Sequence, residues 1–103
     1  MTLAELNTAL QELNVPVAYN VFKEPQVPPY ICFLVIDYEQ TYADDKNYVQ
    51  NPVVRVEYYS KNKDISAETD IEALLEENGI SWDKEDGYLD TERLYMTTWE
   101  FEL

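Results

Sequence analysis

The sequence has no histidine, one cysteine and only two glycines. Each scarcity removes a class of chemistry. Without histidine there is no Ser-His or Cys-His nucleophile and no ordinary zinc site. Two glycines, Gly79 and Gly87, cannot build a loop that cradles phosphate. The lone Cys32 excludes an internal disulfide. It sits inside an apolar run and reads as a small buried hydrophobe suited to a reducing cytosol. Positive charge is scarce as well: seven Lys and Arg stand against 21 Asp and Glu, a net charge of −14. No basic cluster exists to grip phosphates, and an anionic membrane surface would repel the chain. No apolar run approaches the length of a membrane span, and the first residues do not read as a secretory signal.

What is present is a foldable composition. The chain is 46% hydrophobic and 14% aromatic, which argues against disorder. At 103 residues it is expected to form a single domain, residues 1–103, able to bury about two-thirds of its unfolded surface. The organising stretch is Tyr30–Asp37, where Ile31 to Ile36 leave no polar face. Such a strand is expected in the middle of a sheet, covered on both sides. Pro25, Pro28 and Pro29 hold its approach extended and block a helix.

Upstream, Thr2 and Glu5 fit a capping box. Leu3, Leu6, Leu10 and Leu13 follow at steps of three and four, which is one apolar helix face, and Asn14 and Pro16 end it. Val17–Phe22 reads as a short strand. Residues 38–51 carry Tyr38, Tyr42 and Tyr48 around a polar tip at Ala43–Asn47. They read as a long hairpin arm or an irregular loop, and so long a connection often signals function. Pro52–Tyr59 alternates as a strand, with Val54, Val56 and Tyr58 on one side.

A second helix starts near Asp64 or Ser66 and buries Ala67, Ile71, Leu74 and Leu75. Gly79 and Ile80 fit a Schellman ending. Ile80–Lys84 reads as a strand containing Trp82. Asp86-Gly87 is a good turn signal and Asp90–Glu92 a weaker one. A last strand runs from about Arg93 to Leu103, with Tyr95, Thr97, Trp99, Phe101 and Leu103 on one face. The fold class is therefore α+β: a mostly antiparallel sheet with two helices on one face, in the order α-β-β-β-α-β-β.

Acidic clusters do not assemble into recognisable chemistry. Asp83–Gly87 fails the spacing of a calcium loop, because counting Gly87 as position six puts Trp82 at position one. Asp44-Asp45 has no second source of ligands, and no pocket signature supports a carboxylate pair for glycoside chemistry. No catalytic, metal-binding or cofactor-binding residue is assigned, and a non-enzyme is expected. Eleven acids fall between Asp64 and Glu92 with Lys84 their sole opponent. Glu68, Glu72 and Glu76, spaced i, i+4, read as a solvated, mildly self-repelling face, or as a field that repels DNA or meets a basic partner. Tyrosine occurs nine times; it suits half-buried sheet positions and is also enriched at interfaces.

Several stretches together carry a resemblance. They are the capped Leu helix, Pro16–Tyr19, the Phe22–Ile31 segment, Val56–Lys61, the Glu-rich helix, Gly79–Lys84 and the Tyr95–Glu102 ending. Taken over nearly all residues, the chain resembles the tail terminator proteins, also called tail completion or head–tail joining proteins, of tailed bacteriophages and prophages of Gram-positive bacteria. None of the shared motifs is catalytic. The resemblance implies a hexameric ring that caps the tail tube and stops its polymerisation. It implies the major tail tube protein and the head connector or stopper protein as partners, and genome DNA passing through the lumen without specific binding. It also implies a place in the virion neck after assembly in the bacterial cytoplasm. The arm residues Tyr38, Tyr42, Asp44, Asp45 and Tyr48 are the interface candidates. Other neck proteins of similar size, an acidic DNA mimic that inhibits a host nuclease, and an adaptor or antitoxin-like partner are the alternatives.

Overall fold

The computed structural model describes residues 1–42 and 48–103, with side chains described outside residues 40–50. The elements run α1 (Leu3–Gln11), β1 (Val17–Tyr19), β2 (Tyr30–Tyr42), β3 (Tyr48–Ser60), α2 (Ile65–Glu77), β4 (Asp83–Leu89) and β5 (Leu94–Glu102). One five-stranded sheet has the spatial order β1-β2-β3-β5-β4. The β1–β2 pair is parallel and all others are antiparallel. This is the expected α+β fold in the expected element order.

Register explains how one face becomes the core. Ile31 and Phe33 lie opposite Tyr58 and Val56, and Val56 and Val54 lie opposite Trp99 and Phe101. All are buried, and they share one cluster with Leu6 and Leu10 of α1 and Ile71 and Leu75 of α2. Both helices therefore cover the same face.

Local chemistry fixes each helix. The Thr2 hydroxyl accepts from the Glu5 N–H at 3.1 Å, and the Glu5 carboxylate accepts from the Thr2 N–H at 2.9 Å. Asp64 caps α2 by accepting from the Ala67 N–H at 3.0 Å. At the far end Gly79 takes φ 69°, a left-handed angle that only glycine adopts without cost. The Ile80 and Gly79 N–H groups then return to the carbonyls of Leu75 and Glu76, closing the Schellman motif.

Several strand expectations are corrected. The first strand ends at Tyr19, not Phe22, because Asn20 turns the chain at φ 64°. The middle of the sheet is β3, not β2. Only Ile31–Phe33 of β2 has a neighbour on each edge, and Leu34, Val35 and Ile36 are half-buried rather than covered on both sides. Asp86-Gly87 is not a turn. It lies inside β4, and the hairpin closes at Asp90–Arg93, where Arg93 supplies the left-handed residue at φ 55°. Pairing from Asp83↔Glu100 to Leu89↔Leu94 satisfies more backbone groups than a turn at Asp86 would allow. For the same reason the fourth strand starts at Asp83 rather than Ile80, and Trp82 is a half-buried flank of the core.

Of the two readings of residues 38–51, the described residues follow the hairpin arm. It is the continuation of β2 and β3 as a two-stranded ribbon, paired from Tyr38↔Pro52 to Tyr42↔Tyr48. A bulge at Ile36, which has no partner between Val35↔Val54 and Asp37↔Val53, marks where the ribbon leaves the sheet.

Candidate functional site

Two features stand apart from ordinary packing, and they lie at opposite sides of the sheet. The first is the ribbon. β1 accompanies β2 only through Tyr19↔Phe33, and β5 accompanies β3 only to Glu102↔Val53. The Tyr19 hydroxyl extends that protection by accepting from the Val35 N–H at 3.1 Å. On the β3 side the Leu103 N–H donates to the Pro52 carbonyl at 2.9 Å. Beyond Pro52 and Val35 the strand pairing of β2 and β3 among the described residues is with each other. Five residues on each strand, at about 3.4 Å apiece, carry the ribbon roughly 17 Å past the sheet. Tyr38 sits at its base, paired with Pro52 and 53% exposed. Tyr42 and Tyr48 are register partners at its described end. Asp44 and Asp45 lie outside the described residues. Of the five interface candidates, backbone pairing thus brings Tyr38, Tyr42 and Tyr48 onto one ribbon.

The second feature departs from the solvated glutamate face expected of α2. Glu68 does not face solvent: it is 2% exposed and points from α2 onto β5 and β4. Its Oε2 lies 2.7 Å from Lys63 Nζ and accepts from the Thr97 hydroxyl at 3.2 Å. Its Oε1 has Lys84 Nζ at 3.1 Å but receives no well-directed hydrogen bond. Lys84 also meets Glu72 at 2.7 Å, and Glu72 accepts from the Trp99 indole N–H at 3.0 Å. Lys63 reaches Asp86 at 2.9 Å. Two lysines and three carboxylates therefore form one chain of contacts joining α2 to both strands of the β4–β5 hairpin. Lys63, just before the acidic stretch, is the second opponent that a count from Asp64 onward omits.

Electrostatics match this geometry. At Lys84 the hydrogen bond to Glu72 raises the pKa, outweighing burial, with Glu68 adding to it. At Lys63 burial pulls downward, but hydrogen bonds to Glu68 and Asp86 win and the value rises. Burial of Glu72 is likewise outweighed by Lys84 and Trp99, so its pKa falls. The hydrogen bond from Lys63 holds Asp86 below its ordinary value. All four shifts favour the charged forms of Lys63, Glu72, Lys84 and Asp86. Each of the network's three carboxylates lies against at least one of the two ammonium groups. Among the described residues no group of His, Cys, Asp and Glu is arranged to hold a metal ion.

Cys32 offers no nucleophile either. It is buried, and burial, then the Glu57 charge, push its thiol up, away from the thiolate that reacts. The second face around it carries the Tyr30–Tyr59 stack at 4.9 Å, the Phe22–Tyr30 edge contact at 5.5 Å and a Tyr59–Glu57 hydrogen bond of 3.0 Å. Among the described residues no helix is long and apolar enough to cross a membrane. No protein-family model matches the sequence, and no curated protein matches it either.

Proposed function

We propose that this chain is a non-catalytic assembly protein of the head–tail neck of a tailed phage. In this reading it is a tail terminator whose ring caps the tail tube and meets the head connector. The carrying observation is the β2–β3 ribbon, a paired but otherwise unaccompanied extension of a rigid, helix-backed sheet, with an exposed tyrosine at its base. A ring needs a heterologous contact whose rotation closes. A projecting ribbon that reaches a different surface on the next subunit supplies such a contact. Loops and extensions held by a rigid scaffold are also where binding surfaces concentrate.

The charge supports the same reading. A net −14 per subunit gives a lumen through which a phosphate backbone slides without sticking. The DNA-mimic alternative is weakened by the inward turn of Glu68 and Glu72 and the pairing of Asp86. These acids neutralise lysines rather than present a phosphate-like row.

Electron microscopy of the purified chain across a salt series tests the proposal, because screening relieves the repulsion between acidic subunits. Closed six-fold rings, free or on tail tubes, are the expected result. Monomers or closed dimers in every condition, tail tubes included, overturn it. A gel shift with sub-micromolar duplex binding at low salt would also contradict it.

A further inference from the structure

The two helices leave a groove between them on the solvent side of the layer, about 750 Å³ in volume. One wall is α1 with the flanking Met1, Glu12 and Leu13, and the other is the second half of α2 from Asp70, with Asn78 just past its end. Residues from both helices enter it at steps of three and four, so it runs along both axes. Ala4, Leu13, Ala73 and Leu74 give it an apolar lining, with Leu13 and Leu74 half-buried and Ala4 and Ala73 exposed. Four carboxylates rim it, and no lysine or arginine side chain lines it.

The rim has a pattern. Glu5 and Glu12 stand on one wall and Asp70 and Glu77 on the other, each pair seven residues apart. Seven residues are about two turns, or roughly 10 Å along a helix. Glu5 is engaged in the α1 cap, which with the Thr2 hydroxyl holds its pKa low. Glu12, Asp70 and Glu77 form no ion pair among the described residues. They differ in this from Glu68 and Glu72 on the opposite side of α2.

We infer that this groove is a docking site for an amphipathic helix of a partner protein, carrying lysine or arginine on both flanks of an apolar stripe. The apolar lining receives the stripe. Small residues on both walls let a third helix approach to ordinary packing distance. Cations at i and i+7 of the incoming helix repeat with the same axial step as the carboxylates on each wall. This mode of recognition, an amphipathic helix laid into a groove, needs no change in the sheet. The surface is separate from the ribbon, so the inference stands without the proposed neck function.

The test uses a synthetic helical peptide of about five turns with a Leu and Ala stripe flanked by lysines, and the same peptide with glutamates in place of the lysines. Binding is measured by fluorescence anisotropy against the full chain. Glu12→Gln, Asp70→Asn and Glu77→Gln are combined in one variant, and Glu24→Gln, Glu85→Gln and Glu102→Gln in a second with the same charge change elsewhere. A third variant, Ala73→Tyr, fills the groove without altering charge. All these positions are exposed, and circular dichroism checks that each variant folds. Expected is binding of the lysine peptide alone, weakened about tenfold by the groove triple and by Ala73→Tyr, and less than about twofold by the distant triple. Equal weakening by the two triples would mean general attraction to an acidic surface and overturns the inference. So does absent binding, or indifference to Ala73→Tyr. A change in oligomeric state confined to the groove variants, seen by light scattering, assigns the groove to a second copy of the chain and overturns it too.

Discussion

The two sides of the sheet treat their outer strands in opposite ways. On one side, β4 is an edge strand with four consecutive charged residues, Asp83 to Asp86. Lys84 and Asp86 are bound into the network under α2. Charge along an exposed strand discourages another chain from pairing there. On the other side, β1 covers three residues of β2 and then stops, and the ribbon runs on with outer edges that no described strand occupies. The charged side is tied into the molecule, while the open side leaves the outer edges of the ribbon without a strand partner among the described residues. Pairing of one open edge with the same edge of a second copy is isologous and closes as a dimer, so a ring requires the open side to meet a different surface on the next subunit.

The largest effect should come from breaking the charged side. Lys63→Ala with Lys84→Ala strands the buried Glu68 carboxylate. We expect a loss of about 3–5 kcal/mol, measured by denaturant titration, because an unpaired buried charge is costly. A loss below about 1 kcal/mol would place this network with ordinary surface ion pairs.

Acid should act on the same side. The folded pKa values of Glu72 and Asp86 are depressed, so their contribution is present above the ordinary carboxylate range. It fades as pH falls through the lower folded values. Lys63 and Lys84 are raised, so theirs is present at and below the ordinary ammonium range and lost only at strongly alkaline pH. Amide exchange below the carboxylate range should therefore show α2 losing protection before the Ile31–Phe33 centre of β2. Simultaneous loss at both places would remove the distinction between the two sides.

Cys32 samples the centre rather than either side. A thiol reagent should label it only at the rate of global opening, and much faster in denaturant. Rapid labelling of the native chain would show that its strand is not closed.

The smallest effect on stability should come from the ribbon. Tyr38→Ala with Tyr42→Ala and Tyr48→Ala should leave the thermal transition within about 3 °C, a shift worth well under 1 kcal/mol, while ring formation fails. Unfolding of that variant would make the ribbon part of the core. Intact rings would move the subunit contact elsewhere.

How much of this was legible depends on the range of the interaction. Thr2, Glu5 and the leucines of α1 act within a few turns, and Gly79 acts on its own φ, so both helices and the Schellman ending could be read directly. The α+β class followed from the order of such local patterns. The fate of Asp86-Gly87 could not, because it depends on seven residues of pairing with β5, which outweigh a two-residue turn preference. The burial of Glu68 is hidden from the sequence for a similar reason. An i, i+4 ladder of glutamates looks solvated until Lys63, Lys84 and Thr97 are brought to it by the sheet. The ribbon's tyrosines could be picked out by composition, but that they extend two regular strands required the register. The groove carboxylates did carry a signal, their spacing of seven on each helix. It has meaning only once the two helices are known to lie on the same face.

The unpaired Ile36 has one more consequence. Up to Val35 the odd-numbered residues of β2 look toward the helices. Past Ile36, Asp37 shares a side with Val53, and Tyr38 takes the helix-facing side with Pro52. The extra residue reverses the parity of the strand and adds local bend and twist. Removing Ile36 would leave every cross-strand partner unchanged and straighten the junction. The residue thus behaves as a wedge that aims the ribbon without contributing to what the ribbon presents. In any closed assembly that uses the ribbon, the number of subunits that fit around the circle is tied to the angle set by that single side step in the backbone.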